Sequence, residues 1–433
     1  MPVNIPETNK ERIVIIGGGF AGLELVRRLL RSDYQVVLVD KNNYHQFQPL
    51  FYQVAMAGLE PSSIAFPFRR IFQKSKDAYV RVAEVLEIDT KDKTINTSLG
   101  DMWYDHLVIS IGADTNFFGN EKIAKNAIPM KSVSEALFLR NTILSDYETS
   151  VTIRDFEERQ KYIDIVIVGG GPTGVEVAGA LAEMKKYVIP REYKELDYRE
   201  IDIHLLQGAD QLLKGMSQKS SDAALKFLTK LGVKVQLNCR VIDYDGRYVY
   251  TKEGTKIPTH KLIWAAGIIG NKLKGLSEDA LTHGNRIKVN THHQVERLEN
   301  VYAIGDIAYM ENEQYEYGHP QVAQVAIQQA KNLAKNFKQK QKGKTLSAFQ
   351  YKDKGSMATI GRNKAVVDLP KFSFNGSIAW FAWLAVHLFA IIGVKNKIFI
   401  FLNWLWNYVM YNQSLRLIIR PYAKKEQVGK VDK

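Results

Sequence analysis

Short runs of β-branched apolar residues, each followed by glycines and then by an amphipathic stretch, are the strongest pattern along this chain. The first such run covers residues 12–16 and the second covers residues 163–168. Apolar runs of this length, broken only by Arg12 at the start of the first and by Asp164 in the second, are typical of parallel strands buried on both faces. The stretches that follow repeat their apolar residues at helical spacing. The pattern therefore predicts two strand–turn–helix units and an α/β fold.

The glycines of the first unit have the G-x-G-x-x-G spacing of a dinucleotide-binding turn. Gly17 permits the tight turn, Gly19 lets a pyrophosphate approach the backbone, and Gly22 lets helix and strand pack closely. The next strand, 35–39, ends at Asp40, where a carboxylate accepts hydrogen bonds from a ribose hydroxyl. Strand, turn, helix, strand and acid all occur in register, which predicts a dinucleotide site.

The second unit repeats this arrangement with Gly169, Gly171 and Gly174, and its following strand ends at Gln207 instead of an acid. Two units predict two dinucleotides, of which the simplest pair is a flavin and a nicotinamide. Glutamine can bind a ribose hydroxyl but lacks the charge that repels a 2′-phosphate. We expect NADH, since no arginine follows Gln207, without excluding NADPH.

Further strands end in glycine at positions suited to close backbone approach. One leads to Gly112 and Ala113, a second to Gly267, and a third to Gly305 and Asp306, whose carboxylate would lie beside the ribityl hydroxyls of a flavin. Residues 44–53 form a loop of aromatic and amide side chains, either a packed surface loop or a wall along the flavin. Residues 79–90 alternate like one strand, and 132–158 are predicted to be helical.

Two side-chain assignments stay open on the residues alone. Glu176 lies at the start of the second glycine-loop helix, where the dipole stabilises a carboxylate; alternatively it lies between nicotinamide and flavin and relays a proton. Gln324 and Gln328 share one helical face, which is either a solvated face or a functional one.

Composition narrows the function classes. The chain has 433 residues, a formal net charge of +13 and a single cysteine, Cys239, so neither a disulfide nor a thiolate metal site can form within it. Any redox chemistry then belongs to a bound cofactor, and no metal site is expected. The N-terminus has no apolar signal segment. No nucleic-acid module accompanies the basic charge, so an anionic membrane surface is the expected partner.

The C-terminal stretch is apolar and aromatic in two runs, 377–394 and 398–411, with Lys397 at the turn between them. Asn396, Asn403, Asn407 and Ser414 fall on one helical face. A polar stripe beside tryptophans predicts helices that lie in the membrane interface without crossing it. The alternative is a buried pair of helices that packs domains or forms a dimer.

Taken together, the motifs resemble the type II NADH:quinone oxidoreductases, the single-subunit NADH dehydrogenases of bacterial membranes that do not pump protons. The matching features are the two glycine loops, His45-x-Phe47-x-Pro49-Leu with Tyr52-Gln53, Gly305-Asp306, Ala323-Gln324, Ile360-Gly361-Arg362 and the tail with His387, Asn403 and Trp404. The resemblance implies a glutathione-reductase-like architecture of two Rossmann-like domains with a C-terminal amphipathic helical region that anchors the protein to the membrane. It also implies two half-reactions, NADH to FAD and FAD to quinone (menaquinone or ubiquinone).

Residue by residue, the resemblance gives catalytic roles to Glu176, Gln324 and Lys397, with Gln324 at the quinone head group. The implied FAD ligands are Gly17, Gly19, Phe20, Ala21, Gly22, Asp40, Lys41, Gln48, Val85, Gly112, Ala113, Gly305, Asp306, Ala323 and Gln324. The implied NADH ligands are Gly169, Gly171, Pro172, Thr173, Gly174, Glu176, Gln207 and Gly267.

The expected domain order is a FAD-binding domain at 1–125 and 286–345, an NADH-binding domain at 126–285, and a membrane and quinone region at 346–433. The resemblance further implies a homodimer at the inner, cytoplasmic face of the cell membrane.

Four other protein classes fit parts of the pattern. Sulfide:quinone oxidoreductases share the fold and tail, but their multi-cysteine chemistry cannot be performed with Cys239 alone, and disulfide reductases fail for the same reason. A soluble reductase of a protein acceptor would not need the aromatic tail. A nucleotide-sensing membrane scaffold without turnover would not reduce a bound flavin.

Overall fold

Two parallel five-stranded sheets form the body of the protein. The structure is a computed structural model that describes residues 2–73, 75–410 and 416–419. In spatial order, the first sheet contains Val301–Ala303, His106–Ile109, Arg12–Ile16, Gln35–Asp40 and Ala78–Val82. The second contains Ile128–Pro129, Lys261–Trp264, Ile165–Val168, Ile203–Leu206 and Lys234–Gln236.

The predicted α/β class with two dinucleotide-type sheets is confirmed. The central strand of each sheet is fully buried, because helices cover both faces of a parallel sheet. The strand Val301–Ala303 returns to the first sheet after the chain has built the second.

Smaller sheets decorate this body. Three-stranded sheets are formed by Val85–Asp89, Thr94–Thr97 and Gly100–Trp103, by Val241–Tyr244, Tyr248–Thr251 and Lys256–Pro258, and by Ser356–Gly361, Lys364–Asp368 and Ser373–Asn375. Two-stranded pairs join Tyr44–Gln46 to Ala65–Pro67, Ala113–Thr115 to Ile268–Gly270, and Ile287–Lys288 to Ala308–Tyr309.

The longer helices are Phe20–Leu29, Val133–Ser150, Phe156–Ile163, Pro172–Tyr187, Gln218–Lys230, Ala323–Lys340, Ser377–Ala390 and Val394–Met410. Shorter helices are Phe51–Ala55, Pro61–Ile64, Phe68–Phe72, Glu121–Asn126 and Ile189–Glu192, with 3-10 turns at Gln48–Leu50, Tyr198–Glu200, Glu278–Ala280 and Gly305–Ile307. We call Phe20–Leu29 and Pro172–Tyr187 the first and second glycine-loop helices, and Ser377–Ala390 and Val394–Met410 the first and second tail helices.

Two predicted elements are each divided in the structure. The helix expected over 132–158 breaks after Ser150, because the Asp155 side chain accepts a hydrogen bond from Glu158 N (2.7 Å) and caps a new helix. The strand expected over 79–90 leaves the first sheet after Val82 and pairs from Val85 onward within a separate antiparallel sheet.

The turn between the tail helices lies at Ile391–Gly393, slightly earlier than predicted. Gly393 has φ +86°, which favours glycine, and Lys397 lies in the first turn of the second tail helix. Asn403 and Asn407 are half-buried and bonded to each other (2.7 Å), so the polar stripe faces the protein; Ser414 of that stripe is outside the described residues. The apolar face is exposed instead, with Phe389 accessible over 76% of its surface.

Within the described ranges, none of the helices is both long and apolar enough to cross a bilayer.

The strand Ser356–Gly361 packs directly on the second glycine-loop helix, and Gly179 makes this contact possible. A Cβ atom at Gly179 would lie 1.8 Å from the Ile360 carbonyl oxygen, so only glycine fits there. This contact attaches the C-terminal region to the second sheet.

We expect Gly179→Ala to destabilise the protein by about 1–3 kcal/mol through overpacking. Alanine would otherwise favour a helix interior by about 1 kcal/mol, so the sign of the change is informative. Thermal and denaturant unfolding measure it. Gly208→Ala is the control, because a Cβ atom there meets no atom within 4 Å. A Gly179→Ala variant as stable as the wild type would contradict this account of the contact.

Candidate active site

The first glycine loop has the geometry of a dinucleotide turn. Gly17 has φ +94°, and a Cβ atom on it would lie 2.5 Å from the Ser110 carbonyl oxygen. A Cβ atom on Gly22 would lie 1.9 Å from the Gly17 oxygen, so helix and loop need glycine there. Asp40 accepts a hydrogen bond from Gly18 N at 2.6 Å, which fixes the acid beside the loop. Burial raises the pKa of Asp40.

The second glycine loop reproduces these contacts almost one for one. Gly169 has φ +111° and faces the Ala265 oxygen, and a Cβ atom on Gly174 would lie 1.9 Å from the Gly169 oxygen. Gln207 replaces the acid, since its Oε1 accepts from Gly170 N at 2.9 Å while its Nε2 donates to the Gln211 oxygen at 3.1 Å. An uncharged amide thus holds this loop.

The residues present fit two dinucleotides. Among the glycines of the two loops, an added Cβ atom would meet nothing within 4 Å only at Gly19 and Gly171, which are the pyrophosphate positions. The space next to each helix N-terminus is therefore open for a phosphate group. Asp306 is half-buried, and its backbone oxygen accepts a hydrogen bond from Gln321 Nε2 at 2.9 Å. Its carboxyl accepts no hydrogen bond within the described ranges, and burial raises the pKa of this carboxyl. A hydroxyl-rich ribityl chain would supply the missing donors.

The loop expected to line the flavin packs as an aromatic wall. Phe20 makes edge contacts with His45 and Phe47 at centroid distances of 5.3 and 5.8 Å. His45 is buried, its Nδ1 bonds to the Gly18 carbonyl oxygen at 3.0 Å, and burial lowers its pKa to about 4. A neutral imidazole therefore joins this loop to the first glycine loop.

Most other predicted ligands lie near the same two strand edges. Lys41 follows Asp40, and Val85 comes shortly after the neighbouring strand Ala78–Val82. Gln48 begins the turn after the aromatic wall. Gly112 (φ +71°) and Ala113 follow the strand His106–Ile109. Gly305 N donates to Gln329 Oε1 at 2.7 Å. A Cβ atom added to Gly305 would lie 3.2 Å from the Ala21 side chain. Pro172 and Thr173 begin the second glycine-loop helix, and Gly267 follows the strand Lys261–Trp264.

Glu176 projects from the second glycine-loop helix into a buried polar cluster. Its Oε1 accepts from Thr359 N of the packed strand at 3.4 Å. Burial raises the pKa of Glu176 to about 8, although Thr359 and the Trp383 indole favour the charged form. Glu176 therefore holds its proton at neutral pH.

Glu183, two turns along the same helix, has a parallel environment. It accepts from Arg362 N at 2.5 Å, and burial raises its pKa as well. Burial and the nearby carboxyls of Glu176 and Glu183 raise the pKa of Tyr52 well above its ordinary value. Glu183 was not predicted from the sequence as a site residue, although its spacing of seven residues from Glu176 places both on one helical face.

These groups border a cavity of ≈ 140 Å³, the tail cavity, which lies between the body and the tail helices. Its polar wall includes Glu176, Glu183 and Arg362, and its apolar wall includes Trp383 and Leu384. Its remaining lining residues are Tyr52, Gln53, Met56, Gly58, Ala180, Tyr187, Val188, Thr359, Gly361, Trp380, Trp404, Asn407 and Tyr408. A flat ring with polar oxygens matches this mixture of surfaces.

A chain of hydrogen bonds joins the second tail helix to Tyr52 and Gln53, in the short helix Phe51–Ala55 that follows the aromatic wall. Trp404 Nε1 donates to Gln53 Oε1 at 2.8 Å, and Gln53 Nε2 donates to the Tyr52 hydroxyl, also at 2.8 Å. In the first tail helix the rings of Trp383 and His387 stack with their centroids 3.9 Å apart, and burial lowers the pKa of His387 to about 4. The tail is therefore fixed to the body through specific contacts.

Gln324 and Lys397 do not line the tail cavity. Gln324 Nε2 donates to the Gly355 oxygen at 3.1 Å and its Oε1 accepts from Lys354 N at 3.2 Å, while Gln328 bonds in the same way to Lys352. Both amides thus hold the loop that leads into the strand Ser356–Gly361. Lys397 Nζ donates to the Phe389 oxygen at 2.9 Å and bridges the tail helices.

Comparison with known proteins agrees with this arrangement. Residues 11–330 match the pyridine nucleotide-disulphide oxidoreductase family, and residues 354–411 match the NDH2 C-terminal domain. The type II NADH:quinone oxidoreductase Ndh of Mycobacterium tuberculosis is 37% identical over 410 residues, which cover 91% of this chain and 87% of that protein.

Two solved structures are similar in fold. That of NDH2 from Plasmodium falciparum in complex with NADH has a TM-score of 0.86 at 24% identity and covers 95% of this chain and 100% of its own. The sulfide:quinone oxidoreductase of Aquifex aeolicus has a TM-score of 0.67 at 18% identity, covering 88% and 90%.

The raised pKa of Glu176 predicts a pH-dependent stability difference. The Glu176 carboxyl binds its proton more tightly in the folded protein than in the unfolded chain. The free energy of unfolding of the wild type therefore decreases as the pH rises from the ordinary pKa of 4.5 to the folded pKa of about 8. Glu176→Gln removes this loss. Its free energy of unfolding relative to the wild type should therefore increase between pH 5 and 8 and then level off.

Denaturant titrations without nucleotide at pH 5, 6, 7, 8 and 9 check this. Glu157→Gln, which makes the same substitution at an exposed glutamate, is the control. A constant difference across this range would contradict the burial of Glu176.

Proposed function

This chain belongs to the pyridine nucleotide-disulphide oxidoreductases and, within them, to the type II NADH:quinone oxidoreductases, and we propose that it separates its two half-reactions between the second glycine loop and the tail cavity. The overall reaction, NADH + H⁺ + quinone giving NAD⁺ + quinol, transfers two electrons through FAD. Bound FAD supplies the redox chemistry by accepting a hydride from NADH and passing two electrons on to the quinone.

The chain's own residues bind and orient the two nucleotides. We assign the FAD pyrophosphate to the first glycine loop, its ribose to Asp40 and its ribityl chain to Asp306. NADH binds the second glycine loop with Gln207 at the adenosine ribose. Because Gln207 adds no negative charge, discrimination against NADPH is weaker here than with an acid.

The tail cavity is the proposed site of the quinone head group, and its lining is the observation that carries this assignment. It lies between the aromatic wall, the Glu176 helix and the exposed apolar tail, so a ring can enter from the membrane side. Protonated Glu176 is positioned to give its proton to a reduced quinone oxygen, and Glu183 and Tyr52 lie beside it as further proton carriers. Glu176 then regains a proton from solvent.

Gln324 and Lys397 act on this site through the elements that they hold. Gln324 fixes the 352–355 loop, and hence the strand that carries Thr359 and Gly361 into the cavity wall. Lys397 fixes the relative position of the tail helices. A direct contact between Gln324 and the quinone stays a prediction.

Anaerobic stopped-flow measurements on Leu384→Trp test the cavity assignment. The larger side chain fills the cavity, so reoxidation of the reduced flavin by a short-chain menaquinone should slow at least tenfold, while bleaching of the flavin by NADH is unchanged. Leu388→Trp, one turn further and outside the lining, is the matched control.

Reoxidation that is unchanged in Leu384→Trp, or slowed equally in Leu388→Trp, would contradict the cavity assignment. Wild-type protein that is not bleached by NADH would remove the dehydrogenase function itself, whereas bleaching without reoxidation would indicate another electron acceptor.

Membrane attachment is assigned to the exposed apolar face of the tail. Besides Phe389, the exposed apolar side chains are Ile378, Phe381, Val386, Val394, Ile398, Phe399, Phe401, Leu402, Leu405, Trp406, Val409 and Met410. Cations lie at one end of this face: Lys395 begins the second tail helix, and the Arg70 guanidinium lies 5.8 Å from the Phe66 ring against which Gly393 packs. Apolar insertion beside cations favours an anionic leaflet, which agrees with the proposed inner, cytoplasmic face.

Phe389→Asp should weaken binding to vesicles of mixed neutral and anionic phospholipid about ten- to a hundredfold, since burying a phenylalanine contributes about 1.5–3 kcal/mol. Co-sedimentation measures the change. Phe156→Asp, at a phenylalanine of the second domain that is 53% exposed, is the control. Unchanged binding of Phe389→Asp would show that this face does not insert.

The homodimer and the domain boundaries at residues 125, 285 and 345 stay predictions. Sedimentation of the detergent-solubilised protein measures the oligomeric state.

A further inference from the structure

The second sheet determines where each half of NADH lies. Its strand Ile165–Val168 delivers the glycine loop, the neighbouring strand Ile203–Leu206 ends at Gln207, and the opposite neighbour Lys261–Trp264 ends at Ala265–Gly267. A dinucleotide binds across the carboxyl ends of such strands, with its pyrophosphate on the glycine loop and the first ribose at the second strand. The nicotinamide half therefore extends over the 265–267 turn.

Phe118 lies directly on that turn. A Cβ atom on Gly267 would be 2.6 Å from Phe118 Cζ, and the two aromatic rings of Phe118 and Trp264 are 6.5 Å apart. Yet the Phe118 side chain is 65% exposed, so its ring covers the turn on one side and faces solvent on the other. An exposed aromatic ring in this position has no packing partner above it within the described ranges.

The backbone of Phe118 is strained and held. Its φ is +52°, a left-handed conformation that is costly for a bulky residue. Hydrogen bonds maintain it: Asn116 Oδ1 accepts from Phe118 N at 2.8 Å, and the Asn116 carbonyl accepts from Trp264 Nε1 at 2.9 Å. Pairing of Ala113–Thr115 with Ile268–Gly270 fixes the loop on either side. Strain that the surrounding structure maintains is characteristic of functional sites.

We propose that Phe118 is a positioning residue that covers the nicotinamide half of NADH. Its exposed ring face supplies an aromatic surface for the dihydronicotinamide ring or its ribose, closing the cleft from the side of the first domain. The inference rests on the proposed binding of NADH to the second glycine loop. It adds a contact that distinguishes the nicotinamide end from the adenosine end.

Binding of NADH and of ADP-ribose to Phe118→Ala tests this, because ADP-ribose keeps the adenosine and pyrophosphate but lacks the nicotinamide. The dissociation constant for NADH, from the concentration dependence of flavin bleaching, should rise about three- to tenfold. The dissociation constant for ADP-ribose, from equilibrium titration, should not change. Phe118→Tyr should restore wild-type NADH binding.

Phe118→Asn removes the ring but tolerates the left-handed backbone, so it preserves the fold if alanine does not. Phe138→Ala, at a phenylalanine that is 60% exposed on the helix Val133–Ser150, is the control. Equal weakening of NADH and ADP-ribose would overturn the proposal by assigning Phe118 a role in the loop alone, and so would unchanged NADH binding. Wild-type protein that binds neither ligand would instead overturn the proposed function.

Discussion

The close approach of the strand Ser356–Gly361 to the second glycine-loop helix is the contact on which the rest of the structure depends. It requires the missing side chain of Gly179, and it presents the amides of Thr359 and Arg362 to Glu176 and Glu183. It places the C-terminal sheet against the nucleotide domain, where the Ser217 and Ser220 hydroxyls also bond to Asp368, and the tail helices that follow border the tail cavity. This contact thus helps to link the nucleotide-binding part of the chain to its exposed apolar tail.

The two glycine loops show how one geometry serves two ligands. Asp40 and Gln207 occupy equivalent positions, and they accept from Gly18 N and Gly170 N respectively, but one side chain is charged and the other is not. The loop conformation therefore depends on the acceptor oxygen, whereas selection of the nucleotide depends on the charge. Burial acts in a similar way around the tail cavity, where it leaves Glu176 protonated and the imidazole of His387 neutral.

Much of this could be predicted from the sequence because glycine spacing and buried apolar strands are local signals. Both dinucleotide units, the two tail helices and the placement of Glu176 on the second glycine-loop helix follow from them. The polar stripe of Asn403 and Asn407 could also be predicted from the sequence. Which side of the helix faces the protein could not, because it depends on the segments that pack against the helix. Its amides face the body while the apolar side chains are exposed.

Contacts between distant segments could not be predicted in this way. Gln324 bonds to a loop about thirty residues further on, Trp404 bonds to Gln53, and the Phe118 ring lies on Gly267. Each pairing depends on how complete domains dock, and neither partner has a local pattern that identifies the other. Glu183 is the exception, since its helical spacing from Glu176 is present in the sequence.

We propose that NADH and quinone use separate sites, and double-mixing stopped flow distinguishes separate sites from a shared one. The protein is first reduced with one equivalent of NADH and then mixed with a short-chain menaquinone in the presence of increasing NAD⁺. If the quinone enters the tail cavity, the rate of flavin reoxidation will be independent of NAD⁺. A rate that falls in proportion to the occupancy of NAD⁺ would show that the two substrates compete for one site.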